Sequence, residues 1–265
     1  MSEPKPFHRN FRTIKPAANA GYSKWAYVID QKYVQNPEHY VRAFALILSE
    51  LEKIFEYIEP SDEALSVFSY RIHALLMRTC IEIEANFKAI FNENKFTPPQ
   101  RRHIDMRDFR KIDVTHHLSS YEISLPIWHG KAKIFKPFQP WFLMRGKPSN
   151  NVVKLPWYDA YNVSKHDRHE QFKKASFEQL INAVAGLTIV ISSQFQSESY
   201  SAGTRGLAAS GYDYYQDAMR PTTGGLFRIQ YPNDWTDDEQ YDFNWSHLKI
   251  QTDRFSKIDY DAIVV

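Results

Sequence analysis

From Phe177 to Phe195 the apolar residues Phe177, Leu180, Ile181, Val184, Leu187, Thr188, Ile191 and Phe195 recur at steps of three and four. That spacing places them on one side of a helix, and a helix with such a side must bury it against other apolar elements. Ser176 and Gln179 supply a capping box that fixes where this helix begins. A fold built around it is therefore expected to be mainly helical.

Two more stripes support that expectation. Asn36-Pro37-Glu38 reads as a helix start, followed by Val41, Phe44, Ala45, Leu48, Leu51, Phe55 and Ile58, with Pro60 as the stop. Ser61-Asp62-Glu63 then opens a second helix carrying Leu65, Phe68, Ile72, Leu75, Leu76, Thr79, Ile83, Phe87 and Ile90. A further helical stretch runs from Pro156-Trp157 to about Lys174. The expected helices are thus 37–59, 62–93, 157–173 and 177–195, and four such stripes are served by a four-helix core.

The residues outside these helices follow a different pattern. The first 35 carry Pro4, Pro6 and Pro16, with one strand-like run at Trp25-Ala26-Tyr27-Val28-Ile29 and no helix signal. Residues 96–155 are broken by prolines into short pieces, and two short strands are expected there, at Tyr121–Leu125 and Ala132–Phe135. From 197 to 265 the chain reads as a tyrosine-rich acidic tail, irregular, with short strands at Leu226–Tyr231 and Ala262–Val265, packed over the helices. The organisation expected is a helical domain over 1–196, with 96–155 as a partly β insertion, and the tail over 197–265.

Cys80 is the only cysteine, which excludes an internal disulfide framework and a cysteine zinc site. No run approaches the roughly 18 apolar residues of a membrane helix, and the start is polar, so a cytoplasmic, unanchored protein is expected. The net charge of +2 is a sum of opposites. Residues 95–174 hold sixteen Lys and Arg against seven Asp and Glu, so the remainder is acidic. Such clustering fits an anion-binding surface, and it fits equally well two halves that neutralise each other across a contact.

The densest polar run is Trp157 to His169. On one continuous helix Tyr158, Asn162, His166 and His169 share a face, with Lys165 and Arg168 beside it. An amide, imidazoles and cations on one edge can hold a phosphodiester, and histidine is the side chain suited to exchange a proton with a ribose hydroxyl near neutrality. A solvated helix face would carry the same residue types. In the insertion, Arg101, Arg102, His103, Arg107, Arg110, Lys111, Lys131, Lys133 and Lys136 alternate with Phe109, Trp128, Phe135, Phe138 and Trp141. Cations with flat rings suit single-stranded nucleic acid, and the rings suit a small core equally well.

Two aliphatic helices, the second with Glu82 and Glu84, followed by a short helix with Asn162-x-x-x-His166 and a long apolar helix, resemble the HEPN superfamily. The resemblance covers about 36–95 and 155–196. It implies a four- to five-helix bundle, often dimeric, in toxins and antiviral defence proteins, many of them metal-independent ribonucleases. It implies His166 as general acid/base, Asn162 orienting it or the phosphate, and Lys165, Arg168, His169, Arg101, Arg102 and Arg78 as candidates to hold phosphate oxygens. No cofactor or metal is implied; RNA or another phosphate-bearing ligand is, together with a homodimer or a partner protein. One departure matters: tyrosine, Tyr161, stands where the family's motif arginine belongs, and tyrosine cannot supply a cation to a scissile phosphate. A ribonuclease, or a degenerate one that binds without cleaving, is the leading reading; a non-catalytic assembly subunit is the alternative. The His166-Asp167 pair also admits an HD-type metal phosphohydrolase with His73, His103 or His116 upstream, although the helix 177–195 lacks the downstream aspartate.

Overall fold

The computed structural model describes residues 4–100, 102–131, 133–148, 153–200 and 217–265. They form a mainly helical protein with one small antiparallel sheet. In chain order the elements are α1 (Ala20–Ser23), α2 (Pro37–Phe55), α3 (Tyr70–Glu93), α4 (Met106–His116), β1 (Glu122–Ser124), β2 (Ile134–Phe135), α5 (Gln139–Phe142), α6 (Pro156–His166), α7 (Arg168–Gln171), α8 (Phe177–Phe195), β3 (Arg220–Pro221), β4 (Arg228–Gln230) and α9 (Trp245–Leu248).

Helix α8 begins where Ser176 Oγ accepts the Gln179 amide, and every residue from Ala183 to Phe195 is buried. The periodic stripe on its own would have buried one side. Ala183, Ala185, Ile189 and Val190 make the rest equally apolar, and a helix apolar all round is stable only when enclosed. Helices α2, α3 and α6 each pack on α8, and β1 and the turn before it also touch it. Each leucine, isoleucine or phenylalanine fully enclosed here contributes about 1.5–3 kcal/mol of hydrophobic stabilisation.

Several elements differ from the sequence expectation. Asp62–Ala64 forms only a 3-10 turn, and α3 starts at Tyr70 behind the Ser69 cap. Leu65 and Ser66 continue as a turn, and the residues up to Ser69 stay out of the helix because the segment pairs with the start of α8, Phe177 N donating to Val67 O at 2.7 Å and Glu178 N to Leu65 O at 3.0 Å. The third helix ends at His166 rather than near residue 173. Asp167 leaves the helical region there (φ −135°, ψ 70°), and its carboxylate caps the separate short α7. The segment from Trp25 to Ile29 forms turns rather than a strand, and it buries Tyr27 and Val28 in the core. Ala262–Val265 likewise forms no strand.

The insertion contains a helix that the proline-broken pattern did not suggest. Asp105 and Asp108 form a capping box that starts α4, and the helix closes on His117 in the left-handed region (φ 52°). The strand expected at Tyr121–Leu125 appears as β1, and the second shortens to Ile134–Phe135, Ala132 lying outside the described residues. The sheet order is β2-β1-β4-β3, every pair antiparallel, with Ile123 opposite both Phe135 and Ile229. Strand β4 belongs to the tail, so the sheet joins insertion to tail. Residues 201–216 of that tail lie outside the described residues.

The rest of the tail and the N-terminal segment supply much of the aromatic core. Tyr27, Tyr33, Tyr241, Phe243, Trp245 and Phe255 form a chain of ring contacts with centroids 5.3–6.4 Å apart. Phe11 N donates to Ser193 O at 2.8 Å, tying the N-terminal segment directly to α8. No described helix is long and apolar enough to cross a membrane.

Candidate functional site

Helix α6 starts with Pro156 at its first position and lays Trp157, Ala160, Tyr161 and Ser164 into the core. The opposite side carries the polar residues. Tyr158 hydroxyl donates to Glu84 Oε1 of α3 at 2.9 Å, and Lys88 pairs with the same carboxylate at 3.5 Å. Burial, with Glu84 adding to it, pushes the Tyr158 phenol well above its ordinary pKa, so it remains a donor. Asn162, half-buried, lines an open groove of about 270 Å³ together with Arg107, Lys154, Tyr158 and Asp159.

His166 lies one turn beyond Asn162, exposed, at the C-terminal end of the helix. A helix C-terminus carries partial negative charge, so Lys165 and His166 are favoured there on purely structural grounds as well. Tyr161 holds the position of the missing arginine and is 3 % exposed. Lys165 Nζ donates to its hydroxyl at 3.2 Å and sits 4.9 Å from its ring centroid. Burial raises the Tyr161 phenol pKa, and the Lys165 contact works against that rise. The ammonium of Lys165 is thus held beside the phenol, and no guanidinium occupies that place.

The other candidates separate. His169 belongs to α7, past the break at Asp167, and its side chain is 94 % exposed, so it does not continue the Asn162–His166 face. Arg168 is exposed on α7, beyond the end of α6. Arg78 faces the opposite side of α3, in a groove with Glu50, Ile54 and Arg71, whereas Glu84 on the same helix faces α6. It cannot act beside His166. Arg101 lies outside the described residues, and Arg102 grips Asp108 with two nitrogens, one at 2.8 Å, which fixes the α4 cap.

Arg102 is typical of its segment. Arg107 pairs with Asp105, Lys136 with Glu122, Lys154 with Asp159 and Lys95 with Asp259, while Lys111 donates to the carbonyl of Tyr260. Lys131, Lys133 and Lys147 stay exposed. Much of the positive charge counted in the sequence therefore meets carboxylates, mostly within the basic stretch itself, with Lys95–Asp259 reaching across to the acidic remainder. The rings of the insertion, Phe109, Trp128, Phe135, Phe138 and Trp141, are all buried and form core.

The strongest polar network was not legible in the sequence. Arg145 reaches Asp113 Oδ2 (3.3 Å), Asp234 Oδ2 (2.7 Å) and the hydroxyls of Ser119 and Ser120 (2.6 Å each). Asp113 is fully buried, and burial raises its pKa against the opposing pull of Arg145 and Ser119. His117 presents one ring nitrogen to Asp234 (3.0 Å) and the other to Glu239 (3.1 Å), and stacks on Trp235 at 3.8 Å. Every donor here is occupied. Ser120 donates to Asp234, not to a histidine, so the order of groups is not that of a nucleophile activated by an imidazole base. The network fastens the tail to the insertion.

The metal-dependent alternative finds no ligand set: among the described residues no group of three His, Cys, Asp or Glu side chains is arranged to hold a metal ion. His116, one upstream candidate, is fully buried with Nε2 donating to the Arg9 carbonyl at 2.8 Å, and His73 packs against Phe172. Cys80 is buried, and burial raises its pKa well above the ordinary thiol value, which leaves it inert.

No protein-family model, curated protein or solved structure matches this chain. The functional assignment therefore rests on the α6 face itself.

Proposed function

We propose that this chain is a HEPN-like helical protein that binds RNA through the exposed face of α6 and does not cleave it. The packing of α2, α3, α6 and α8 on one another supports the HEPN-like reading, and the placement of half-buried Asn162 and exposed His166 on one face supports an accessible site. The observation that carries the choice between binding and cleavage is Tyr161. At the motif's arginine position a phenol is buried and bonded to Lys165, Arg78 faces the far side of α3, and Arg168 lies past the helix end. A phosphodiester held there meets Lys165, Asn162 and His166, while the Arg107 guanidinium that lines the Asn162 groove is committed to Asp105 rather than free for the charge that develops during cleavage.

Fluorescence anisotropy with a labelled RNA, alongside a cleavage assay with and without chelator, tests this. Binding is expected to weaken in Asn162→Ala and Lys165→Met, with intact RNA recovered throughout. Chelator-resistant cleavage that disappears in His166→Ala overturns the binding-only assignment; absence of RNA binding by the wild type overturns the reading as a whole.

A further inference from the structure

The combination of cations and flat rings that the sequence suggested for the insertion occurs elsewhere on the surface. Immediately after α7, Phe172 meets Tyr70 and His73 of α3 and Phe68 just before it. Its ring centroid is 4.8 Å from that of Tyr70, 5.7 Å from Phe68 and 5.5 Å from His73. These rings are not core: Tyr70 is 71 % and Phe68 48 % exposed. Their backbone is held firmly, because Phe68 pairs with Ser176 in an antiparallel bridge beside the Phe177 N to Val67 O bond. A ledge of aromatic faces is thus preformed in a position where burial in this chain gives it no reason to exist.

Its surroundings say what it fits. Lys173 and Lys174 follow Phe172 in the same turn and Arg168 precedes it on α7, all exposed. Unlike Arg102, Arg107 or Lys136, none of these three has a carboxylate within ion-pair distance among the described residues. The nearby acids are engaged, Asp167 on the Glu170 amide and Glu170 with His169. A ligand that satisfies three free cations and several open ring faces together must alternate anionic groups with flat rings. Among polymers that is single-stranded nucleic acid, whose phosphates meet the charges while its bases stack. A duplex offers the phosphates but keeps its bases stacked on each other.

We infer that Phe68, Tyr70 and Phe172 form a stacking ledge for an unpaired base of single-stranded RNA, with Arg168, Lys173 and Lys174 holding the adjacent phosphates. This rests on the RNA-binding reading of α6 and deepens it, by naming the strandedness of the ligand and the path it takes beyond His166.

The test uses the full chain, a 12-nucleotide single-stranded RNA of mixed sequence, the same sequence as a duplex, and a single strand carrying 2-aminopurine. The wild type should prefer the single strand and change the 2-aminopurine fluorescence on binding. Tyr70→Ala should weaken single-strand binding by roughly 5- to 150-fold, the range for loss of one base–aromatic stack, and abolish the fluorescence change. Tyr70→Phe, which keeps the ring, should bind as the wild type does. Because Tyr70 is largely exposed, its replacement leaves the core intact, and a circular dichroism melt confirms this. Equal binding of single strand and duplex, or single-strand binding untouched by Tyr70→Ala, removes the ledge and leaves the α6 reading standing. Binding lost in Tyr70→Ala but unaffected in Lys165→Met and His166→Ala keeps the ledge and removes the α6 site. No RNA binding by the wild type removes both.

Discussion

His116 offers a quantitative test of how this core is built. Its imidazole is fully buried, Nε2 donates to the Arg9 carbonyl, and Nδ1 faces the Thr115 hydroxyl at 2.8 Å, which in turn lies 3.0 Å from the Tyr260 hydroxyl. A carbonyl can only accept, so Nε2 carries a proton. Burial, the largest cause, lowers its pKa from 6.5 to about 3. The unfolded chain, with an ordinary histidine near 6.5, therefore takes up a proton at pH 5 that the folded chain refuses. Stability from this group is complete above about pH 6.5 and is lost as pH falls towards 3. Between pH 7.5 and pH 5 the linkage amounts to about 2 kcal/mol, from 1.36 kcal/mol per pKa unit over the 1.5 units separating pH 5 from 6.5. Urea unfolding at pH 7.5, 6 and 5, compared between wild type and His116→Gln, isolates the effect, because the other histidines titrate equally in both. The glutamine keeps a donor for the Arg9 carbonyl and cannot titrate. The wild type should lose about 2 kcal/mol more than the variant on going to pH 5. Parallel losses in the two proteins would refute a neutral, buried imidazole.

Further outcomes follow from the same physics. Arg145→Met strands the buried Asp113 carboxylate and should cost about 3–5 kcal/mol in urea unfolding, with part recovered in the double variant carrying Asp113→Asn. Asp234, whose carboxyl is lowered to about 2 against the cost of burial by Ser120, His117 and Arg145, contributes stability that is present above about pH 4 and lost as pH falls towards 2. Asp234→Asn should therefore be about 1–2 kcal/mol less stable at pH 7 and flatter in acid titration. In RNA titrations across salt, replacing Lys173 and Lys174 by glutamine should reduce the slope of log K against log salt by about 1.4, near 0.7 for each single-strand phosphate contact. An unchanged slope would place those lysines outside the path of the RNA.

What could be read from the sequence was what is local. The stripes of α2, α3 and α8 were visible because apolar residues at helical spacing need no knowledge of their partners. Phe177 to Phe195 was the clearest, although only the structure reveals that α8 is enclosed on every side. Helix α4 was hidden: its start at Asp105-x-x-Asp108 is a capping box that could have been recognised, but its body offers few apolar residues beyond Phe109 and Ile112. Helix α3 begins late because residues 65–68 bond to a segment more than a hundred positions away. The polar run at α6 is legible, but His169 does not share its face, because Asp167 ends the helix through backbone angles that no spacing rule reports. Arg145 carried no signal at all. Its partners, Asp113, Ser119, Ser120 and Asp234, are assembled only by the fold.

The enclosure of α8 has a consequence for how the chain is made. Its cover includes Phe11 and Tyr33 from before the bundle, bonded to Ser193 and Gln194, and β1, whose partner strand β4 is not reached until Arg228. A ribosome that has just released Phe195 has delivered the most apolar helix of the protein without the tail that completes its shell. Tyr260, the last large side chain of the core, lies sixty-five positions beyond Phe195. At about 5–20 residues per second, synthesis of that stretch takes roughly 3–13 seconds. For that interval the nascent chain carries apolar surface that the tail has yet to cover, the kind of surface on which partly made chains associate.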